Sequence, residues 1–418
     1  MENFCRVEPF DLMQYFYRKA HDPIVHAVVH TDGRFNPDLL GKAFLLSCQT
    51  VPVVGCSFSA GGRRPRWNPQ KFSGKAFVRL IQPEPDGETA EARFLTSAID
   101  IAAGPQVKAG IIRKRDGDTL CVLVNHMVCD GGGFKEYLYL VCALYNSLCE
   151  GKSPEISSPA TRSIRPVFAA FSLFERIRLS LPPCDIPSPA HQDGYALQGD
   201  RACPFICERE IAVKGLDAVK RRARENDATV NDMLLASYAR VLCRNLKRGD
   251  ILFPCPVDLG KYLPAGTQRG ICNLTSNYMC HVHMEKDDPF ETTLRQVTAQ
   301  MRSQKGSDGC LKPVKLLSTS FRLFPFHILQ KAFGCVFTIP VISYTNLGIL
   351  DENRLRFSNA EITGAFLTGA IKYVPYFQMA ASTFRGRMTL TCNLHGTSAD
   401  HIQIGRILKD VENEMQMP

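Results

Sequence analysis

At 418 residues the chain exceeds one ordinary hydrophobic core, so two domains of about 200 residues each are expected. A hydrophobic content of 45% excludes a disordered chain, and no run approaches the ~18 to 20 apolar residues of a membrane span. Fifty basic residues against 41 acidic give +9, modest for this length and better suited to a small anionic partner than to nucleic acid.

The first sixteen residues lack a basic start followed by a hydrophobic core, so a cytoplasmic location is expected. Asp11 to Lys19 reads as a helix and Ile24 to His30 as a strand on which His26 and His30 are structural. Asn36-Pro37 opens a helix with Pro in its first turn, and Val53 to Phe58 and Ala76 to Leu80 read as strands. Val107 to Arg113 and Thr119 to His126 form a hairpin, with the turn expected at Asp116-Gly117-Asp118.

Leu120, Val122, Val124 and His126 alternate onto one face of that last strand, which delivers the imidazole at its end. Asp130 and Gly131-Gly132-Gly133 follow; the glycines allow a tight bend and close backbone approach before a helix carrying Phe134, Leu138, Val141, Tyr145 and Leu148. With an ordinary pKa of about 6.5, a strand-end histidine is suited to take a proton from an alcohol, amine or thiol.

From Gly151 to Asp200 the pattern fails among Pro154, Pro159, Pro166, Pro182, Pro183, Pro187 and Pro189. This stretch reads as an interdomain crossing, with the apolar segment Val167 to Leu181 expected to be a helix across one mouth of the active site. Beyond it, a strand near Phe205 to Val213 and a helix from Leu216 to Arg224 precede a helix capped by Thr229, which Asp232 answers. Ile251 to Val257, interrupted by Pro254 and Pro256, is expected at a sheet edge. Asn277 to Met284, Val341 to Tyr344, Glu361 to Leu367, Tyr373 to Phe384 and Arg387 to Leu394 read as strands; Pro289 to Ser303, Leu316 to Phe333 and Ala399 to Met415 read as helices. The mixture says α/β in both halves.

Seventeen cysteines invite a disulfide or metal reading, but the count is odd and no Cys-x-x-Cys occurs. Cys203 with Cys207, and Cys280 beside His281 and His283, are therefore expected to be ordinary core or surface residues, and no metal is expected. Asn146 stands where a phosphate loop ending at Gly151-Lys152-Ser153 needs its first glycine. Glu136 occupies the last glycine position of a dinucleotide motif, and neither Gly-x-Ser-x-Gly nor His-Glu-x-x-His is present.

His126-Met127-Val128-Cys129-Asp130-Gly131, a His-x-x-x-Asp-Gly at the end of an apolar strand, resembles the signature of the chloramphenicol-acetyltransferase-like superfamily. That group includes nonribosomal-peptide condensation domains, alcohol acetyltransferases and polyketide-associated acyltransferases. The residues 100–109 (Asp-Ile-Ala-Ala-Gly-Pro-Gln-Val-Lys-Ala), 229–236 (Thr-Val-Asn-Asp-Met-Leu-Leu-Ala), 256–259 (Pro-Val-Asp-Leu) and 343–348 (Ser-Tyr-Thr-Asn-Leu-Gly) resemble further family landmarks in the same order.

The resemblance implies two acyltransferase-like halves, 1–155 and 201–418, joined by the crossing 156–200 into a V-shaped pseudo-dimer with a tunnel between them. It implies direct transfer from a thioester, acyl-CoA or a carrier-bound phosphopantetheine, to a small alcohol or amine, with no tightly bound cofactor and His126 as general base. An acyl carrier protein is a conceivable partner. Thr275, Ser276, Asn277, Ser343 and Asn346 are the candidates for stabilising the oxyanion. Asp130 and Gly131 are expected to shape the loop. The family's arginine partner for that aspartate is replaced by Gly55 or Gly260, so Lys261 or Arg269 is expected to substitute; Asn125 replaces a first histidine. The clusters Gly61 to Trp67 and Lys220 to Arg224 offer cations to coenzyme A phosphates or an acidic carrier. An amide-forming condensation enzyme and a non-catalytic binding protein are the alternatives.

Overall fold

The computed structural model describes residues 6–61, 64–82, 90–181, 194–336 and 339–417. In the first half α1 (Pro9–Tyr17) leads to β1 (Ile24–Thr31) and α2 (Pro37–Thr50), where Asn36 accepts from the Asp38 and Leu39 N–H groups at the helix start. Then follow β2 (Cys56–Ser59), β3 (Arg66–Pro69), β4 (Val78–Ile81), α3 (Ala90–Leu95), β5 (Val107–Lys114), β6 (Gly117–Asn125) and α4 (Gly131–Cys149). The stretch expected as one strand from Val53 is a 3-10 turn over Pro52–Gly55, because Pro52 has a fixed φ and no N–H; only Cys56–Ser59 is extended. The β5–β6 turn falls at Arg115-Asp116, one residue before the expected position. Asp118 is withdrawn from it to accept from the Phe35 N–H at 2.8 Å and to pair with Arg113 at 3.0 Å.

In the crossing, Ser172 and Glu175 cap α5 (Leu173–Ser180), which packs on a second-half helix and leaves Leu173 and Phe174 about three-quarters exposed. Pro182, Pro183, Pro187 and Pro189 lie outside the described residues.

The second half runs β7 (Pro204–Ile211), α6 (Val213–Glu225), α7 (Val230–Leu246), β8 (Asp250–Asp258), β9 (Thr275–His283), α8 (Phe290–Lys305), α9 (Leu311–Leu323), α10 (Phe326–Val336), β10 (Ile342–Ile349), β11 (Ile362–Thr368), β12 (Lys372–Tyr373), β13 (Phe377–Phe384), β14 (Arg387–His395) and α11 (Ser398–Gln416). Thr229 and Asp232 form the expected reciprocal cap. Pro325 splits the single helix expected over Leu316 to Phe333 into α9 and α10, and Pro375 stands in the break between β12 and β13. Among the described residues β8 pairs only with β9, so its prolines face no described ladder on the other side.

One five-stranded sheet has the order β11-β1-β6-β5-β4; the other contains β10-β13-β14, with β12 and β7 both pairing β14. The molecule is therefore α/β, two sheet-and-helix units arranged as a pseudo-dimer. They are not independent: β11, from the second half, pairs antiparallel with β1 and completes the first-half sheet. β6 is buried along its whole length, and Phe134, Tyr137, Leu138, Val141 and Tyr145 of α4 share one hydrophobic core with its Leu120, Val122 and Val124, where burying an aliphatic or Phe side chain contributes roughly 1.5–3 kcal/mol. This packing fixes where β6 ends, and so where His126 stands.

Candidate active site

His126 follows the last residue of β6 and is pinned through its backbone. Its N–H donates to the Pro23 carbonyl at 2.8 Å, and its carbonyl accepts from the Asn273 amide at 3.0 Å. The carbonyls of Met127 and Val128 accept from Arg162 at 3.2 and 2.6 Å, and the same guanidinium pairs with buried Asp11 at 2.8 Å. Asn125 donates to Gln106 at 2.7 Å and accepts from the Met127 N–H at 3.0 Å, so the residue that replaces a histidine here shapes the turn.

Asp130 caps α4 and is surrounded by donors: the Gly133 N–H at 2.8 Å on one oxygen, and the Leu274 N–H and Thr275 hydroxyl, both at 2.6 Å, on the other. Arg269 reaches the carboxylate at 3.4 Å and also pairs with Asp258. Arg269 is thus the substituting cation; Lys261 is not, since its ammonium donates to the Tyr278 hydroxyl at 2.6 Å. Gly131, Gly132 and Gly133 have ordinary φ, so they serve close approach rather than an unusual bend. A Cβ on Gly131 would strike Leu347, one on Gly132 the Arg269 guanidinium, and one on Gly133 the Cys272 carbonyl at 2.8 Å.

Burial lowers the His126 pKa from its ordinary value, which keeps the ring neutral and able to accept a proton. Its own carbonyl and the Asp130 charge pull the other way, and the Lys372 ammonium adds to the lowering. Nδ1 is buried and makes no hydrogen bond of normal geometry.

Four of the five oxyanion candidates are engaged with other groups. Thr275 spends its hydroxyl on Asp130, Ser276 donates to the Cys310 carbonyl at 2.6 Å, and Ser343 donates to the Phe377 carbonyl at 3.3 Å. Asn346 donates to Asn231 at 2.9 Å, and Asn277 is exposed. Thr275 is the one among them that touches the loop, in a supporting role. Arg162 and Asn273, with Asp11 behind Arg162, hold the loop and were not expected; an arginine in a Pro-rich crossing and an aspartate in the first helix carry no local pattern that announces contacts 34 and 151 residues away.

Elsewhere, His30 bonds Thr119 at 3.0 Å and His26 the Gly369 carbonyl at 3.0 Å, both within the sheet. Cys280 is buried, while His281 and His283 lie exposed beside Asp250, so cysteine and histidines occupy opposite faces of β9. Among the described residues no cluster of His, Cys, Asp and Glu has the arrangement of a metal site. No described helix is long and apolar enough to cross a membrane. Lys220 pairs with Asp217 and Arg222 with Glu291, so the α6 cluster is in part internally matched. Arg64 and Arg66 line a cavity of about 1490 Å³ with Arg162, Arg165, Lys315 and Arg322; His126 is not in its wall. Gly62 and Arg63 of that first cluster lie outside the described residues.

No family profile matches the chain. An alignment 156 positions long, covering 34% of this chain, is 38% identical to surfactin synthase subunit 1 of Bacillus subtilis; it amounts to 4% of that synthase's length. The first condensation domain of the CDA synthetase superposes over 99% of this chain and 97% of its own, with TM-score 0.68 and 12% identity. The fold is that of condensation domains and their acetyltransferase relatives. TRI3 trichothecene 15-O-acetyltransferase from Fusarium sporotrichioides covers 99% of this chain and 94% of its own at TM-score 0.70, again with 12% identity. The chloramphenicol-acetyltransferase-like resemblance of the sequence thus extends over the whole described architecture.

Proposed function

We propose that the chain is an acyltransferase that moves an acyl group from a thioester to an alcohol or amine, without a covalent enzyme intermediate, and that His126 is its general base. The observation that carries this reading is the fixing of His126: an imidazole with a lowered pKa at a buried strand end, its own backbone held by Pro23 and Asn273 and the next two carbonyls by Arg162, from three separate segments. Such clamping is what a positioned proton acceptor needs. The acceptor's proton passes to His126 as its oxygen or nitrogen attacks the acyl carbon, and the thiolate leaves with that proton. Asp130 and Gly131 shape the loop.

The donor thioester, acyl-CoA or carrier-bound phosphopantetheine, is a co-substrate in this proposal, and a cytoplasmic location belongs to it. The sequence relatives are peptide synthetases, which favours a carrier-bound donor and amide formation as the second reading. Assay of one acyl group on coenzyme A and on a loaded carrier protein separates the two. His126→Ala should fold and lose roughly 10²- to 10⁴-fold in turnover; activity within a few fold of the parent would remove His126 from the mechanism.

A further inference from the structure

The helix α5 turns its apolar residues outward. Leu179 alone is fully buried, in a core it shares with Leu311, Val314 and Leu317 of α9. Leu173, Phe174 and Ile177, with Leu181 at the C-terminal cap, are each more than half exposed. At about 100° per residue these four fall within one arc of roughly 100° on the side away from Leu179, and Arg176 and Arg178 flank that arc to left and right. A second patch lies at the corner where α9 meets α10: Leu323 and Phe324 are more than half exposed, and Ile328 is exposed as well. Of thirteen large apolar side chains exposed among the described residues, seven therefore belong to α5, its cap or this corner, which is a concentration and not the usual scatter.

The two patches are on one side of the molecule. α5 packs on α9, and Arg176 from α5 borders the cavity of about 1490 Å³ together with Lys315, Arg322 and Phe324. The charges around them have one sign. α9 and α10 contain Lys312, Lys315, Arg322 and Lys331 and no carboxylate. Arg178 pairs with Asp308, but Arg176, Lys315 and Arg322 meet no carboxylate among the described residues. Arg176 donates instead to the carbonyls of Phe171 and Ala169 at 2.8 and 3.2 Å, and Lys315 lies over the Phe168 ring at 5.0 Å.

A convex helix with an apolar arc between two arginines suits a medium that closes around it. At the boundary of a bilayer the apolar side chains enter the acyl region while guanidinium and ammonium groups stay with the phosphates. A second copy of the chain is a poorer match, because a twofold contact would set these cations against their own kind. We propose that α5 and the α9–α10 corner form a peripheral docking face for an anionic lipid bilayer, with Leu173, Phe174, Ile177, Leu181, Leu323 and Phe324 seated at the boundary between headgroups and acyl chains. α5 is about 12 Å long, so it lies along the surface and does not cross it. Docked in this way, the cavity bordered by Arg176 and Phe324 stands against the lipid. The proposal does not depend on the reaction assigned to His126.

Sedimentation of the full chain with vesicles at low salt tests it. The parent should bind vesicles of equal parts phosphatidylcholine and phosphatidylserine about ten-fold or more tighter than vesicles of phosphatidylcholine alone. A double variant, Phe174→Ser with Ile177→Ser, keeps every charge and changes only exposed side chains; it should show the parent's circular dichroism spectrum and bind the mixed vesicles about ten-fold or more weaker. Arg322→Gln should lose about five-fold on the mixed vesicles. In Phe174→Trp the new indole should shift its emission to the blue on binding, over the constant signal of buried Trp67, the one tryptophan of the parent. Failure of the parent to bind the mixed vesicles overturns the proposal. Equal binding by the double serine variant also overturns it, since general attraction of a chain with net charge +9 would then account for the association. A parent dimer in sedimentation velocity that the serine variant abolishes, without vesicle binding, would assign the face to a second copy and refute the lipid reading.

Discussion

Asp130 Oδ2 accepts the Leu274 N–H at 2.6 Å, a hydrogen bond that ties the loop of the first half to the strand start of the second. All four groups around the carboxylate are donors. Asp130→Asn would turn an amide N–H₂ toward at least one of them and remove the charge facing Arg269. Stability should fall by several kcal/mol, together with activity, in urea titration and turnover measured on one preparation. An inactive variant with unchanged stability would mean that Asp130 acts on substrate instead.

The motif and the sheet architecture were legible because they depend on local alternation: β6 writes its own end in Leu120, Val122, Val124 and His126. What holds the loop was not. Arg162 and Asn273 meet it from distant segments, Asp11 braces Arg162 from a third, and nothing in their immediate neighbours distinguishes them from solvated polar residues. The partners of the oxyanion candidates were equally illegible: Thr275, Ser276 and Ser343 have suitable hydroxyls, and tertiary packing gives each an acceptor within the fold. Arg269 was within reach of sequence reasoning only as one of two cations, and geometry separated it from Lys261.

Arg162→Met should cost on the order of 3–5 kcal/mol, since Asp11 is left as a buried charge without its cation and three backbone carbonyls lose a donor. Arg162→Lys should recover only part of this, because one ammonium cannot reproduce the forked contacts. Urea midpoints for the two variants check it; equal midpoints for Met and the parent would contradict the clamp.

The acidic limb of kcat/KM should lie below the ordinary histidine value, because burial lowers the His126 pKa. The charges acting on the ring are Asp130, which raises its pKa, and Lys372, which lowers it; His21 is coupled to it as well. Removing the cation in Lys372→Met should move the limb toward higher pH. A pH–rate profile that moves down instead would show that another group controls proton uptake.

Burial brings the Lys372 ammonium down to about 8 from 10.5, so at neutral pH the folded chain carries a charge it would rather shed. The folded value lies below the unfolded one. Stability tied to the neutral amine is therefore complete only above pH 10.5 and is lost as pH falls through about 8. Lys372→Met should be more stable than the parent at pH 7, by on the order of 2–3 kcal/mol, with the gap closing between about 8 and 10.5. Denaturation midpoints across that range decide it, and a less stable Met variant at pH 7 would mean that the bond from the ammonium to His21 Nδ1 outweighs the cost of its burial.

β11 also bears on how the polypeptide can be divided. It is reached only after more than three hundred residues, yet it covers the open edge of β1. A polypeptide ending before it would carry the residues of the His126 loop and still display one edge of Ile24–Thr31 unpaired, a largely buried-type strand held only by β6 and a template for joining other chains edge to edge. During synthesis the first sheet therefore waits for residues 362–368 before its border is sealed, and any excision of the loop for separate use would have to bring that late strand with it.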